Sequence, residues 1–379
     1  MKFVIKRDLL IESIQHVMKA ISSRVTIPIL SGIKIEANQD GIKLTGSDAD
    51  ISIESFIPRE EDGIVNIEEI EAGSIVVQAK YFPDIIRKLP LKTVEINTDD
   101  QFQVNIISGG AEFHLNGQDA AEYPQLPVLH TDNSFELKND LLKEVIRQTV
   151  FAVSTVETRP ILTGVNMNLD NGQIKFVATD SHRLASRELP LTTNHDLSFK
   201  NIVIPGRSLA ELSKIIDDNE ENITISVTEN QILFQTKHLY FLSRLLDGNY
   251  PETSRLIPDQ SKTTVLTKTK ELLQAIDRAS LLAKENRNNV VKLETRANHQ
   301  LVISSNTPEV GQVIEEVTTE EITGDELKIS FSAKYMMDAL KIIQEEYVTI
   351  KFTGAMRPFI IQPNENDQIL QLILPVRTY

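Results

Sequence analysis

Apolar residues recur at helical spacing from Phe3 to Ser22, and again from Phe135 to Ser154. Leu9 and Leu10 map onto Leu141 and Leu142, Ile14 onto Ile146, Met18 onto Val150 and Ile21 onto Val153, at a constant offset of 132 residues. The spacing predicts amphipathic helices with one buried face each. A looser third copy runs from Val265 to Ala283. Strand signals follow each copy. Ile27–Gly32 and Arg159–Gly164 align through Pro28-Ile29-Leu30 and Pro160-Ile161-Leu162, and Gly41–Ser47 and Gln173–Thr179 alternate with period two. Asp48 aligns with Asp180, and the third copy keeps Val291–Leu293 and Leu301–Ser305.

A second helix is predicted in each copy, over Val77–Leu89, Ile204–Ile216 and Phe331–Ile343, with Lys80, Arg207 and Lys334 near its start. The offset from first to second copy is now 127, and Tyr123-Pro124 and Tyr250-Pro251 also pair at 127. These tyrosines open two proline-bearing stretches, 123–133 and 250–262, that read as linkers. Self-similarity that keeps its order over several elements is the signature of repeated units. The chain is therefore expected to hold three α+β domains, at residues 1–127, 128–256 and 257–379.

The 379 residues are 41 % hydrophobic, enough for a core in each repeat. The absence of cysteine excludes disulfides and thiolate metal sites and fits a reducing cytosol. The start meets charge within eight residues, and no later apolar run is long enough to span a bilayer, so a cytoplasmic protein with no membrane partner is expected. The net charge of −15 argues against a simple basic nucleic-acid binder, but its distribution changes that picture. Segments 3–24, 137–154 and 266–287 carry +2, +1 and +2, and segments 79–90, 206–216 and 333–343 carry +2, +1 and +1. Together the helical segments hold +9, which leaves −24 on the sheets and loops. Helices often carry Lys and Arg on a solvated face. A cationic sign on all six equivalent segments also suits loose contact with a phosphate backbone, without base readout.

Catalytic readings are weak. Asp180, Ser181 and His182 are consecutive, whereas a nucleophile, its base and the group orienting that base must converge in space. No glycine-rich loop ends in Lys followed by Ser or Thr, Gly109-Gly110 reads as a turn, and the seven histidines show no paired metal-ligand spacing. Neither a catalytic residue nor a metal or other cofactor is expected. The acidic pairs Glu60-Glu61, Asp217-Asp218 and Glu345-Glu346 read as solvated loops or helix ends. Two non-catalytic alternatives stay in view. A peptide-binding scaffold with no nucleic-acid partner would show no sign difference between helices and sheets. A sequence-specific DNA binder would need a recognition helix rich in Arg, Asn and Gln, and the chain has none that reads so.

Four stretches, in this order on a triplicated frame, carry a family resemblance: Arg24–Leu30, Ala178–Ala185, Asp247–Pro251 and Leu374–Arg377. The chain resembles the beta subunits of bacterial DNA polymerase III, the sliding-clamp family, over essentially its whole length. The resemblance implies the DNA clamp fold, with helices lining a central hole and antiparallel sheets outside, closed as a head-to-tail homodimeric ring. It implies a non-catalytic processivity factor whose partners are duplex DNA without sequence specificity, the replicative polymerase alpha subunit, the clamp loader, and other replication and repair proteins carrying a clamp-binding motif. Arg24, Lys80 and Arg207 are candidates for phosphate contact, each with the alternative of an ordinary surface cation. Phe113 and Leu115, facing Leu281 and Leu282 of a second copy, are the implied dimer contacts, with core packing as the alternative. The implied peptide pocket comprises Leu162, Thr179, His182, Arg183, Leu184, Pro251, Leu256, Leu372 and Leu374 in one part, and Arg159, Ile161, Ser332, Tyr335, Met356, Pro358, Pro375, Val376 and Arg377 in the other. An apolar cleft with few polar groups to fix orientation suits a peptide site. The chain departs from the family pattern at Pro160, Ile161, Ser181 and in the tail, changes that bear on the pocket's shape and motif preference and bring it closer to the versions found in Gram-positive bacteria.

Overall fold

The computed structural model describes all residues except 23–25, 128, 130–132, 192–196, 220, 284–288, 309 and 378–379. Six α-helices lie among the described residues: α1 (Arg7–Val17), α2 (Phe82–Lys88), α3 (Asn139–Thr149), α4 (Gly206–Leu212), α5 (Thr269–Ala283) and α6 (Ala333–Lys341). They are shorter than the helical spacing alone predicts. Phe3 to Lys6 and Phe135 to Lys138 belong to strands Lys2–Lys6 and Ser134–Lys138, because side chains there alternate between buried and half-exposed or exposed. Val77 lies in strand Gly73–Gln78, Ile204 in strand Phe199–Pro205, and Phe331 in strand Lys328–Ser332.

Ile27–Gly32 and Arg159–Gly164 correct the strand expectation. Pro28–Ser31 and Pro160–Thr163 are single turns of 3₁₀-helix, and strands start only at Gly32 and Gly164. Proline at the first position fixes φ and lacks an N–H, which suits a helical first turn and not a ladder. The hydroxyls of Ser31 and Thr163 close the turns by donating to the carbonyls of Pro28 and Pro160, at 2.7 and 2.6 Å.

The chain clusters into two compact units. The first comprises residues 1–142 and 211–245. It holds a five-stranded sheet, in the order 111–116, 103–108, 93–98, 2–6, 67–71, and an eight-stranded sheet, in the order 134–138, 222–227, 231–235, 239–244, 51–58, 41–47, 32–37, 73–78. Helices α1 and α2 pack together here, and Phe3, Leu10, Ile14, Ile33 and Phe82 are among its most fully buried side chains. The second unit comprises residues 143–210 and 246–379. It holds a nine-stranded sheet, in the order 199–205, 164–170, 173–179, 183–190, 369–373, 359–363, 347–352, 263–268, 321–324, and a four-stranded sheet, in the order 311–318, 300–307, 290–296, 328–332. Helices α5 and α6 pack over a core that includes Phe331, Phe352 and Phe359. Every strand pairing is antiparallel.

Each large sheet is a fusion of strands from two repeats. In the first unit the seam pairs Ser52 with Leu242 and Ser55 with Leu239. In the second it pairs Leu184 with Leu372 and Arg187 with Ile369. Ser52 and Leu184 are related by the offset of 132, and the bond from the Phe56 amide to the His238 carbonyl, 2.8 Å, has its counterpart from Glu188 to Gln368, 2.9 Å. The two seams therefore share one register.

Candidate peptide-binding site

The sequence-predicted pocket residues all fall in the second unit. Asp180 explains why the seam begins as it does. Its Oδ1 accepts from the amides of His182 and Arg183, at 2.9 and 3.0 Å, while Ser181 takes a φ of 76°. Asp48 forms the same turn in the first unit, accepting from the Asp50 and Ile51 amides with Ala49 at φ 77°. The aligned aspartates are turn-formers. Asp180, Ser181 and His182 make no catalytic set, since the carboxylate is spent on two backbone amides and Arg183.

Arg183 is 7 % exposed. Its Nε donates to Asp180 Oδ2 at 3.0 Å, Nη1 to Asp338 Oδ2 at 2.6 Å and Nη2 to the Phe151 carbonyl at 2.6 Å. Its guanidinium lies over the rings of Tyr335 and Phe151, 4.5 and 5.3 Å from their centroids. So engaged, Arg183 holds Tyr335 in place rather than offering a charge to a ligand. His182, exposed, stacks on Tyr335 at 6.5 Å between centroids, and burial raises the Tyr335 hydroxyl above its ordinary value, so it stays a donor.

Leu162, buried, packs with Val203 and Tyr250, and Ile161 and Leu246 lie against them. Leu184 and Leu372 pack with Val177, flanked by Ile257 and Leu370. Tyr250 ties these two apolar groups together: its hydroxyl accepts from the Thr179 amide at 2.9 Å. Thr179 in turn donates its hydroxyl to the Arg183 carbonyl at 2.6 Å. Leu256, 48 % exposed, Leu374, 36 %, and the exposed Pro251 present apolar surface. The tail is fixed by backbone bonds, from Leu374 to the His182 carbonyl at 2.9 Å and from Val376 to the Ser330 carbonyl at 2.7 Å. Pro375 is half-buried and Arg377 exposed. Ser332 is buried just before α6, Arg159 is exposed before the 160–163 turn, and Met356, 54 % exposed, stands with Pro358 on the turn leading into strand 359–363. Sequence reasoning missed Val177, Val203 and Tyr250. The recurrence of Tyr-Pro at 123 and 250 was the available signal for Tyr250; the valines carry none beyond strand alternation.

The other predicted residues lie elsewhere. Lys80 is exposed in the turn before α2, with its ammonium 5.1 Å from the Tyr81 ring centroid, and Arg207 is exposed in the first turn of α4. Arg24 lies outside the described residues. A recess of about 300 Å³ between α1, α2 and residues 214–215 carries Lys19, Arg87 and Lys214, cations not singled out by the sequence. Phe113 and Leu115 lie on the edge strand 111–116 and line an apolar recess of about 470 Å³ with Tyr81, Asp84, Ile85 and Lys88. Phe113 is 38 % exposed and Leu281 62 %, so core packing does not account for them; Leu282 is half-buried. Among the described residues no group of three or more His, Cys, Asp or Glu is placed to hold a metal, and no helix is long and apolar enough to cross a membrane.

A triplicated α+β frame with fused antiparallel sheets and exposed apolar side chains beside a hydrogen-bonded tail defines a protein of the DNA clamp class. The N-terminal, central and C-terminal domain descriptions of the DNA polymerase III beta subunit match residues 1–127, 136–252 and 254–377, and the chain belongs to that family. It is 58 % identical to the beta sliding clamp of Bacillus subtilis and 53 % identical to that of Halalkalibacterium halodurans, each over the whole of both chains. The crystal structure of the Bacillus subtilis DNA polymerase sliding clamp superposes with a TM-score of 0.97 at 57 % identity, and that of the Streptococcus pyogenes beta subunit with 0.94 at 40 %, both covering all of each chain.

Proposed function

We propose that this protein is a non-catalytic processivity factor: two copies close head to tail into a ring around duplex DNA, and the cleft of the second unit tethers the replicative polymerase and other proteins to it. In this reading the three domains run over 1–127, 128–256 and 257–379.

The observation that carries the proposal is a pair of unfused half-sheets. Strands 239–244 and 369–373 each close a seam, against strands 51–58 and 183–190. Their counterpart in the first repeat is strand 111–116, which ends its sheet; the counterpart of 51–58 and 183–190 in the third repeat is strand 311–318, which ends the other. Exposed edges of this kind are templates for pairing. The two strands end separate sheets; a second copy supplies the partner each lacks in the order the seams use, and the result is a closed ring of six domains. The register follows from the seams. Ser47 pairs with Ser52, Thr179 with Leu184 and Asn306 with Gln312. Leu233 pairs with Leu242, Ile360 with Leu372 and Asn105 with His114. Gln312 of one copy should therefore face His114 of the other, with Val313 facing Phe113.

Held by topology, such a ring needs only weak contacts at its hole. The net positive charge of the helical segments supplies them, and screening over a Debye length of about 8 Å at physiological salt keeps them loose. Lys80 and Arg207, with Arg24, are the candidate phosphate contacts. Polymerase alpha subunit, clamp loader and other motif-bearing replication and repair proteins would share the cleft, whose Leu and Met side chains adapt to different peptides. Because the native chain has no cysteine, the interface can be tested with a single engineered pair. Gln312→Cys combined with His114→Cys should give covalently closed dimers on oxidation. Failure to crosslink, with dimers still present, would overturn the register argued here.

A further inference from the structure

A cleft of about 550 Å³ opens within the first unit, where the seam of strands 51–58 and 239–244 meets α1 and residues 215–217, Asn219 and Glu221. This is the size of an ordinary ligand site, and the clamp function described above makes no use of it. Two deeply buried groups on its lining have no partner: the Ser13 hydroxyl and the Asn139 Oδ1, both in residues 2 % exposed. Asn139 spends its own amide on Asn219 Oδ1 at 2.8 Å, so the carbonyl is left over. His238 Nδ1 is also buried without a partner. An unmet buried polar group costs about 1–3 kcal/mol, so the wall of this cleft is incompletely satisfied as it stands.

The second seam shows what kind of donor fits. In the shared register Ser55 faces Leu239 where Arg187 faces Ile369. Arg187 is 7 % exposed and donates from Nη1 to Gln368 Oε1 at 3.1 Å. Gln368 is the counterpart of His238, and Gln148, by the offset of 132, of His16. The second unit thus places a guanidinium of its own at this point of the seam, and the first unit has a small serine and a cleft. The charge of the cleft agrees. Glu12, Glu61, Asp62, Asp217 and Glu221 line it against one ammonium, Lys237, which is already paired with Glu61. His16 adds no opposing charge: burial lowers its pKa, an effect that Glu12 and Asp217 only partly offset, and its Nδ1 sits 3.4 Å from the Ser55 hydroxyl.

We propose that this cleft receives the arginine side chain of a partner's peptide segment, in the place the second seam fills with Arg187. A peptide, rather than free arginine, is the better occupant, because a free α-carboxylate would meet five carboxylates at the lining.

The test is a titration of the intact protein, followed by backbone amide shifts, with three probes: Nα-acetylarginine N-methylamide, its citrulline counterpart and free arginine. The blocked arginine should shift the amides of Ser13, His16, Ser55 and His238 in a saturable way, with citrulline and free arginine at least tenfold weaker. Ser55→Arg should fill the cleft, raise the melting temperature and abolish the shifts. Should that variant not fold, Glu12→Gln with Asp217→Asn should weaken the blocked arginine at least tenfold. Absence of saturable shifts at tens of millimolar, equal binding of citrulline, or undiminished binding to the filled or neutralised variant would each overturn the proposal; in those cases the cleft holds water only.

Discussion

At the first seam the residue after the aspartate turn is Ile51, 1 % exposed and apolar; at the second it is Arg183, also buried but tied to Asp180, Asp338 and Phe151. The turn, its aspartate, the left-handed residue within it and the strand register are the same at both places. What differs is what the seam holds. The first is closed by apolar packing at this end and open as a polar cleft further along. The second carries an arginine at both points, Arg183 and Arg187, and keeps its open surface for Leu256, Leu374 and His182. Repeats inherited the scaffold unchanged, and the side chains grafted on it decide which cleft exists and for what.

Removing the tail tests that division most severely. Deleting Pro375–Tyr379 takes away the strap bonded from Val376 to Ser330, and binding of partner peptides should fall roughly a hundredfold or more, as when several anchors of one hot spot are lost. Dimerisation should be unaffected, and sedimentation alongside peptide titration checks both. Substituting the turn residues comes next. Arg183→Met takes the guanidinium from Asp180, which keeps only its two backbone amides, and leaves Asp338 with Lys334 alone, so unfolding stability should drop by about 3 kcal/mol. Ile51→Val, at the matching position, should cost about 0.5–1.5 kcal/mol. Equal losses in urea titrations would mean the seams are not specialised as argued.

A smaller difference lies in pH dependence. His16 has a folded pKa below its ordinary value because burial disfavours the charged ring. The unfolded chain therefore binds the proton first as pH falls, and stability declines below the ordinary histidine range of about 6.5 until the folded pKa is passed. His16→Gln, which copies Gln148 of the second seam, should flatten that decline in a series of melts between pH 7 and pH 5. The smallest effect is expected at the DNA face. Lys80→Ala or Arg207→Ala should each reduce the slope of log K against log salt by about 0.9 or less, with no change in sequence preference.

Much of the fold was legible from offsets. Leu9-Leu10 against Leu141-Leu142 and Asp48 against Asp180 marked repeats whose registers coincide in the structure. Helix lengths were not legible, because residues such as Phe3 and Ile5 fit a helical stripe and a strand's inner face equally well, and tertiary pairing with 93–98 and 67–71 decided. The Pro28 and Pro160 turns were misread because isoleucine and leucine beside proline resemble an edge strand. Of the cleft, the residues reached by resemblance lie in one unit, yet the binding and the structural arginine could not be told apart, since only the partners Asp180, Asp338 and Phe151 reveal that Arg183 is engaged. The first-seam cleft left no trace in the sequence beyond Ser55 standing where Arg187 does.

Retention on DNA tests the central claim most directly. Protein loaded onto nicked circular DNA should stay bound through a high-salt wash, which removes contacts that depend on phosphate charge, and should be released once the circle is cut. Equal loss from circular and linear DNA would contradict a clamp held by topology.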